Sequence, residues 1–551
     1  MIRIRKDKRN SICAVVFALL FSVAMVFGAQ LEKRGSISYE SAGVWGAVAI
    51  MMLVSFGVVR ILFQLLERYE THAEQQKQDQ KKSRNIVTKK EFLGTAVFFL
   101  LCWLPVYLAV YPGFFLYDAE TELNMVLTAE YTTHHPLAHV LLLGWVIKVI
   151  HKITGSYNAG IAVYIICQAM FVAAVFSYIL CKLKKWGIAK WIRVISIIYF
   201  CAFPVIAMYA LCSTKDVLFS VFLLLFLVEM ITCYQESGTE NNKKWAAVRV
   251  VASGTGMLLF RNNGIYALIL ASPFLIVAAG KYKKKIFIYL AMIFATYIAC
   301  SFTLKTVTGA SDSEKQEILT VPIQQMARVY NYDYASLSKT QIETLSGYVP
   351  EEALHKYRPT LSDPVKFYFD NGAYTQDPAS FWRLWIQMGM KHPATYLNAF
   401  FINNYGFWYP YATLNCYEGN QVYSFQYEDS SYFGYETEHP GERKSLIPAV
   451  DEWIRKLSLE VSWQKIPGLR VFFHPAYYFW AFMFGVCYSI AKKRYHLCAV
   501  AMLVLFMYLT VLLGPAVLVR YVLYFYFGFP LLLAFLFEGG WSEQQMKKEE
   551  L

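Results

Sequence analysis

The stretch YPGFFLYDAETELNMVLTAEYTTHHPLAHVLLLGWVIKVIHK, residues 111–152, decides how the chain is threaded, because it joins an acidic loop to a short apolar run. The loop holds Asp118, Glu120, Glu122 and Glu130 with His134, His135 and His139, and no Lys or Arg lies between Tyr111 and His139. The apolar run, 137–152, gives roughly 24 Å of helix at about 1.5 Å per residue, less than a hydrocarbon core of ~30 Å. It also carries Lys148 and His151. It therefore reads as a helix lying in, or dipping into, the outer interface.

Working outward, 57% of the 551 residues are hydrophobic, against roughly 45–50% in soluble domains, which marks an all-α polytopic membrane protein. Apolar runs of about 20 residues place twelve spans near 11–29, 43–65, 92–111, 158–181, 192–211, 216–234, 245–260, 263–279, 285–304, 471–490, 496–514 and 520–538. Residues 11–29 follow a basic MIRIRKDKRN and could imitate a signal peptide. The lack of a small-x-small site favours an uncleaved helix. With both termini cytoplasmic, every inner loop is basic, as in Lys182, Lys184, Lys185 and Lys190 or Lys281, Lys283, Lys284 and Lys285. Counting 137–152 as a crossing would invert that rule for everything downstream.

The resulting organisation is a helix pair at 1–65, a polar cytoplasmic linker at 66–91, a core at 92–304 with a first outer loop at 112–157, an extracytoplasmic domain of mixed structure at 305–470, helices at 471–538 and a cytoplasmic tail at 539–551. The net charge of +13 then reports cytoplasmic loops and anionic lipid rather than nucleic acid. The eleven cysteines form no disulfide framework and no CxxC pair, and only Cys416 sits well within a polar region.

Four polar clusters interrupt the apolar chain, all on the outer face. They are Asp118/Glu120/Glu122 with His134, His135 and His139; Ser213-Thr214-Lys215-Asp216; Arg261-Asn262-Asn263-Gly264; and Arg520-Tyr521. Each charge at a bilayer centre costs ~2.5–3.5 kcal/mol, so helix ends are where charges belong in any case. Jointly they say more: carboxylates suit a general base or a hard cation, and guanidinium groups hold phosphate. That pairing suggests a lipid phosphate beside an activated hydroxyl.

The acidic first loop, the HHP before an interfacial helix, the second-loop Lys-Asp and the late Arg-Tyr resemble the GT-C-type integral-membrane glycosyltransferases. The phrases YPGFFLYDAE, HHPLAH, STKDVLF, RNNG, VPIQQMARVYNYD and GPAVLVRY look closest to bacterial membrane proteins of unknown function in that superfamily. The resemblance covers about 92–540. It implies a GT-C-like bundle in the cell membrane that moves sugar from a polyprenyl-phosphate donor to an envelope glycan, lipid or protein acceptor. It implies catalytic roles for Asp118, Glu120 and Asp216, donor-phosphate binding by Lys215, Arg261, Arg520 and Tyr521, and substrate contacts from Glu122, His134, His135 and Asn262. A divalent cation, Mg or Mn, would be held by Asp118, Glu120 and Asp216. The sequence departs from the family pattern in having DAE for paired aspartates and one acidic residue in the second loop.

His135 and His139 share a helix face and could ligate metal, although capping beside Pro136 is the more ordinary role for such residues. Aromatic runs between Phe367 and Tyr411 suit either an interfacial belt or a sugar-stacking surface. The competing functions are a transporter or flippase for lipid-linked sugar, which predicts polar groups along a mid-membrane path, and a non-catalytic envelope-assembly protein. Within the expected spans only Gln168 and Glu229 stand out as polar.

Overall fold

The computed structural model describes residues 2–79, 87–235, 243–414, 433–460 and 462–537. Residues 80–86 of the linker, Cys416 and the tail 539–551 lie outside them. The regular elements among the described residues are all helices, with isolated β-bridges in place of strands. Their ten cysteines are free.

Among the described residues eight helical segments are long and apolar enough to cross a membrane: Lys8–Arg34, Ala42–His72, Lys89–Ala109, Leu137–Thr154, Tyr157–Lys185, Lys215–Gln235, Gly280–Thr308 and Val519–Phe537. Capping and charge fix their ends. Ser156 accepts from the Ala159 N–H at the start of the Tyr157–Lys185 helix, whose last turn carries Lys182, Lys184 and Lys185 against the negative end of its dipole. Lys215–Gln235 is the central helix, with 83% of its apolar window buried against 17% for Ala42–His72.

Several expected spans differ in the structure. Residues 192–211 form two helices, Lys190–Ala202 and Pro204–Ala210, bent by 61°. Pro204 lacks the N–H that would continue the first helix and forces Phe203 out of the helical region. Residues 245–260 and 263–279 are the short helices Trp245–Leu259 and Gly264–Ala278 around the Arg261 turn. Pro475 likewise starts a new helix inside 471–490, and Tyr495–Val511 is also shorter than the rest. The segment 137–152 belongs to Leu137–Thr154, which is long and apolar enough for a span.

Oppositely charged helix ends meet on two separate sides. On one, Lys184 pairs with Glu91 at 2.6 Å and Arg249 with Glu229 at 2.9 Å. The linker's beginning shares a helix, Ala42–Asp79, and docks through Glu67–Lys492 at 2.9 Å and Glu70–Arg494 at 2.6 Å. It is a packed element there and not a purely solvated connector. On the other side lie the four polar clusters.

The region 305–470 carries a second, smaller core around Leu319, Met326, Tyr330, Phe369 and Phe381. Tyr405, Phe407, Trp408 and Tyr409 belong instead to the main core. Most of the 367–411 aromatics are thus packing residues. Phe367, Tyr368, Trp382 and Tyr411 remain exposed.

Candidate functional site

Backbone pairing brings the first two clusters together. Phe114 N donates to Leu211 O at 3.0 Å, Ser213 N to Phe114 O at 2.9 Å, and Ser213 Oγ accepts from Leu116 N at 3.3 Å. This register sets Asp118 opposite Lys215. Between them the chain turns at Tyr117, a non-glycine residue with φ +68°, a conformation that costs of order 1–3 kcal/mol and needs support from its surroundings.

Asp118 then sits between two cations. Its Oδ2 accepts from Lys215 Nζ at 2.6 Å and from Arg520 Nη1 at 2.8 Å. Burial opposes its charge, yet Arg520 and Lys215 together hold the carboxyl well below the usual carboxylate range. Asp216, in the first turn of Lys215–Gln235, accepts from Arg261 at 2.6 Å and from the Thr214 hydroxyl at 3.1 Å. Arg261 and Arg520 lie over the Tyr521 ring at 5.3 and 5.0 Å, so Tyr521 acts as a spacer between two like charges. Arg520 Nε is buried, makes no hydrogen bond among the described residues, and lies 3.8 Å from Asp216 Oδ2.

Behind Lys215 a chain of hydrogen bonds has a defined sense. The Gln168 amide nitrogen donates to Cys212 O at 2.7 Å and Ala210 O at 3.2 Å. Its oxygen accepts from the Tyr164 hydroxyl at 3.1 Å, and the Tyr164 oxygen therefore accepts from His139 Nε2 at 2.9 Å. His139 Nδ1 bonds to Glu122. Burial raises and His139 and Lys215 lower the Glu122 carboxyl, with a net lowering, so it is an acceptor. Glu122 and His139 are each 1% exposed. They brace the site from behind Lys215.

His135 Nδ1 accepts from Lys215 Nζ at 2.8 Å. Burial, then Lys215, lowers its imidazole to about 4, so it is neutral at pH 7. His134 is exposed, with its ring 4.4 Å from that of His135. Asn262 donates to Thr133 O at 3.2 Å and ties the third cluster to the first.

The donor set does not fit a divalent cation. Asp118, Glu122 and His135 do bring ligand atoms within 4.8 Å of one another. The Lys215 ammonium sits among them, at 2.6, 3.5 and 2.8 Å respectively. Asp216 is committed to Arg261, and Glu120 contributes its backbone N–H to Glu438 Oε2 at 2.9 Å. The expected metal set of Asp118, Glu120 and Asp216 is thus replaced by an ammonium with three acceptors.

The model of a family of unknown function, DUF6020, matches residues 125–550. The chain belongs to the DUF6020 family. No curated protein and no solved structure matches it. The DUF6020 match includes Lys215, Asp216, Arg261 and Arg520, and begins after Asp118. Glu438, also within the DUF6020 region, is a site residue the sequence reading missed. It lies in a polar stretch with neither periodicity nor a motif to mark it.

Proposed function

We propose that this protein is a GT-C-like membrane glycosyltransferase that moves sugar from a polyprenyl-phosphate donor to an envelope glycan, lipid or protein acceptor on the non-cytoplasmic face. The observation that carries the reading is the convergence of Asp118, Lys215, Asp216, Arg261 and Arg520 from four helix ends far apart in sequence. Three cations, Lys215, Arg261 and Arg520, gather around Asp118 and Asp216. Those cations, and the Arg520 Nε that makes no hydrogen bond among the described residues, suit a phosphate monoester.

The geometry suggests an exchange. Asp118, held ionised by its two cations, is a weak base as it stands. A donor phosphate that takes Lys215 and Arg520 as partners removes what depresses the Asp118 carboxyl. Asp118 then accepts the proton of the acceptor hydroxyl as its oxygen bonds to the sugar C1. The C1–O bond to phosphate breaks, and the polyprenyl phosphate leaves with its charge stabilised by Lys215, Arg261 and Arg520.

The test is transfer of labelled sugar in membranes bearing the wild type, Asp118→Asn or Asp216→Asn. The expected result is loss of transfer in both variants. Full transfer by both, at equal expression, rejects the site.

A further inference from the structure

Residues 433–446 form a strap that runs antiparallel to residues 108–117. Leu446 N donates to Leu108 O at 2.9 Å, Lys444 N to Tyr111 O at 2.8 Å and Glu438 N to Phe115 O at 2.6 Å. At its far end Gly434, with φ +83°, lies so close to Tyr117 that a Cβ there would stand 2.7 Å from the tyrosine hydroxyl. Arg443 adds a cation contact over Phe114 at 5.4 Å. The strap therefore holds the segment leading into Asp118 from the side opposite residues 211–213.

The Ala119–Thr128 helix begins in an unusual way. Asp118 occupies the N-cap position, yet its side chain makes no capping hydrogen bond. It faces Lys215 and Arg520 instead. The Glu120 N–H, a donor that an N-cap aspartate commonly takes, is taken by Glu438 Oε2 at 2.9 Å. One carboxylate cannot both fold back over its own helix and reach two cations on other helices.

We infer that Glu438 caps the Ala119–Thr128 helix in trans, supplying the cap that Asp118 gives up by facing Lys215 and Arg520; Glu438 is a positioning residue of the candidate site. Its importance for transfer rests on the proposed function, whereas the cap itself does not. When Glu438 is removed, two charge-assisted bonds outweigh one cap, so Asp118 stays with its cations and the helix start frays. Fraying loosens the backbone that carries Asp118. Burial makes Glu438 a weak acid, but its carbonyl oxygen accepts in either protonation state, so glutamine can replace it.

The experiment is amide hydrogen exchange on the full-length protein in nanodiscs, read over residues 119–123, for the wild type, Glu438→Ala, Glu438→Asp and Glu438→Gln. Alanine, and aspartate with its shorter reach, should exchange about fivefold faster, the factor expected for a lost cap. Glutamine should match the wild type. Unchanged exchange in the alanine and aspartate variants, or glutamine exchanging as fast as alanine, overturns the inference. If the alanine variant fails to fold, the aspartate and glutamine variants still decide it. Absence of sugar transfer by the wild type would remove the functional reading and leave this exchange result standing.

Discussion

Arg520 Nη1 donates to Asp118 Oδ2 at 2.8 Å, although the two residues are 402 positions apart. The bond closes the first loop onto the start of the final apolar helix. Lys215 and Asp216 lie between them at the head of the most enclosed helix. The site is consequently a joint between distant parts of the chain, and its charges couple function to assembly.

Removing the shared acceptor should therefore cost both. Asp118→Asn weakens two charge-assisted bonds and should destabilise the protein by about 1.5–3 kcal/mol, the range for hydrogen bonds to charged groups. Transfer should fall by ~10²–10⁴-fold, the usual contribution of a general base. Thermal unfolding and labelled-sugar transfer on the same preparation check the two effects.

Arg261→Lys should be far from conservative. Arg261 bonds Asp216 at 2.6 Å and Asn263 at 3.0 Å while stacking over Phe219 and Tyr521 at 5.3 Å each. A lysine keeps the charge but loses the planar fork and the stacking. Transfer should drop at least tenfold; an unaffected Lys variant would show that charge alone suffices.

Divalent ions supply a separate check. The wild type should melt at the same temperature with a chelator, Mg or Mn, because Lys215 Nζ already lies among Asp118, Glu122 and His135. Lys215→Ala vacates that position and should acquire a thermal shift with Mn. A metal-dependent wild type with an indifferent variant would reverse the assignment.

Two groups should shape stability against pH in opposite directions. Burial, then Lys215, brings His135 down from 6.5 to about 4, so the unfolded chain binds a proton that the folded one refuses. Stability is lost as pH falls from 6.5 towards 4. Burial, with Asp118 and Glu120 nearby, brings Glu438 up from 4.5 to about 8, so the unfolded chain releases a proton that the folded one keeps. That contribution is lost as pH rises from 4.5 through 8. Unfolding curves should show His135→Asn flattening the acid limb and Glu438→Gln the alkaline one.

Much of this was legible in the sequence because membranes punish misplaced charge. Hydropathy marked the long apolar helices, whereas the Lys/Arg rule kept 137–152 out of the spans although it is long and apolar enough for one; Asp118, Lys215, Asp216, Arg261 and Arg520 stood out as charges where apolar residues are expected. Glu122 and His139 looked like further site residues on the same grounds. Their bracing role depends on Tyr164 and Gln168, whose positions relative to them come only from packing. The break at Phe203-Pro204 has a local cause, whereas Glu229 acquired its partners Arg249 and Lys182 through tertiary contacts. Glu438 depends on the register of a strap that no sequence period announces.

The most direct measurement is release of polyprenyl phosphate from labelled polyprenyl-phosphate sugars by purified protein supplied with an envelope extract as acceptor, comparing the wild type with Asp118→Asn and Arg520→Gln. The account predicts release by the wild type with at least one such donor and, by the general-base range, roughly 100-fold or slower release by both variants. Release by the variants at the wild-type rate, or no release by the folded wild type from any of the donors, would contradict it.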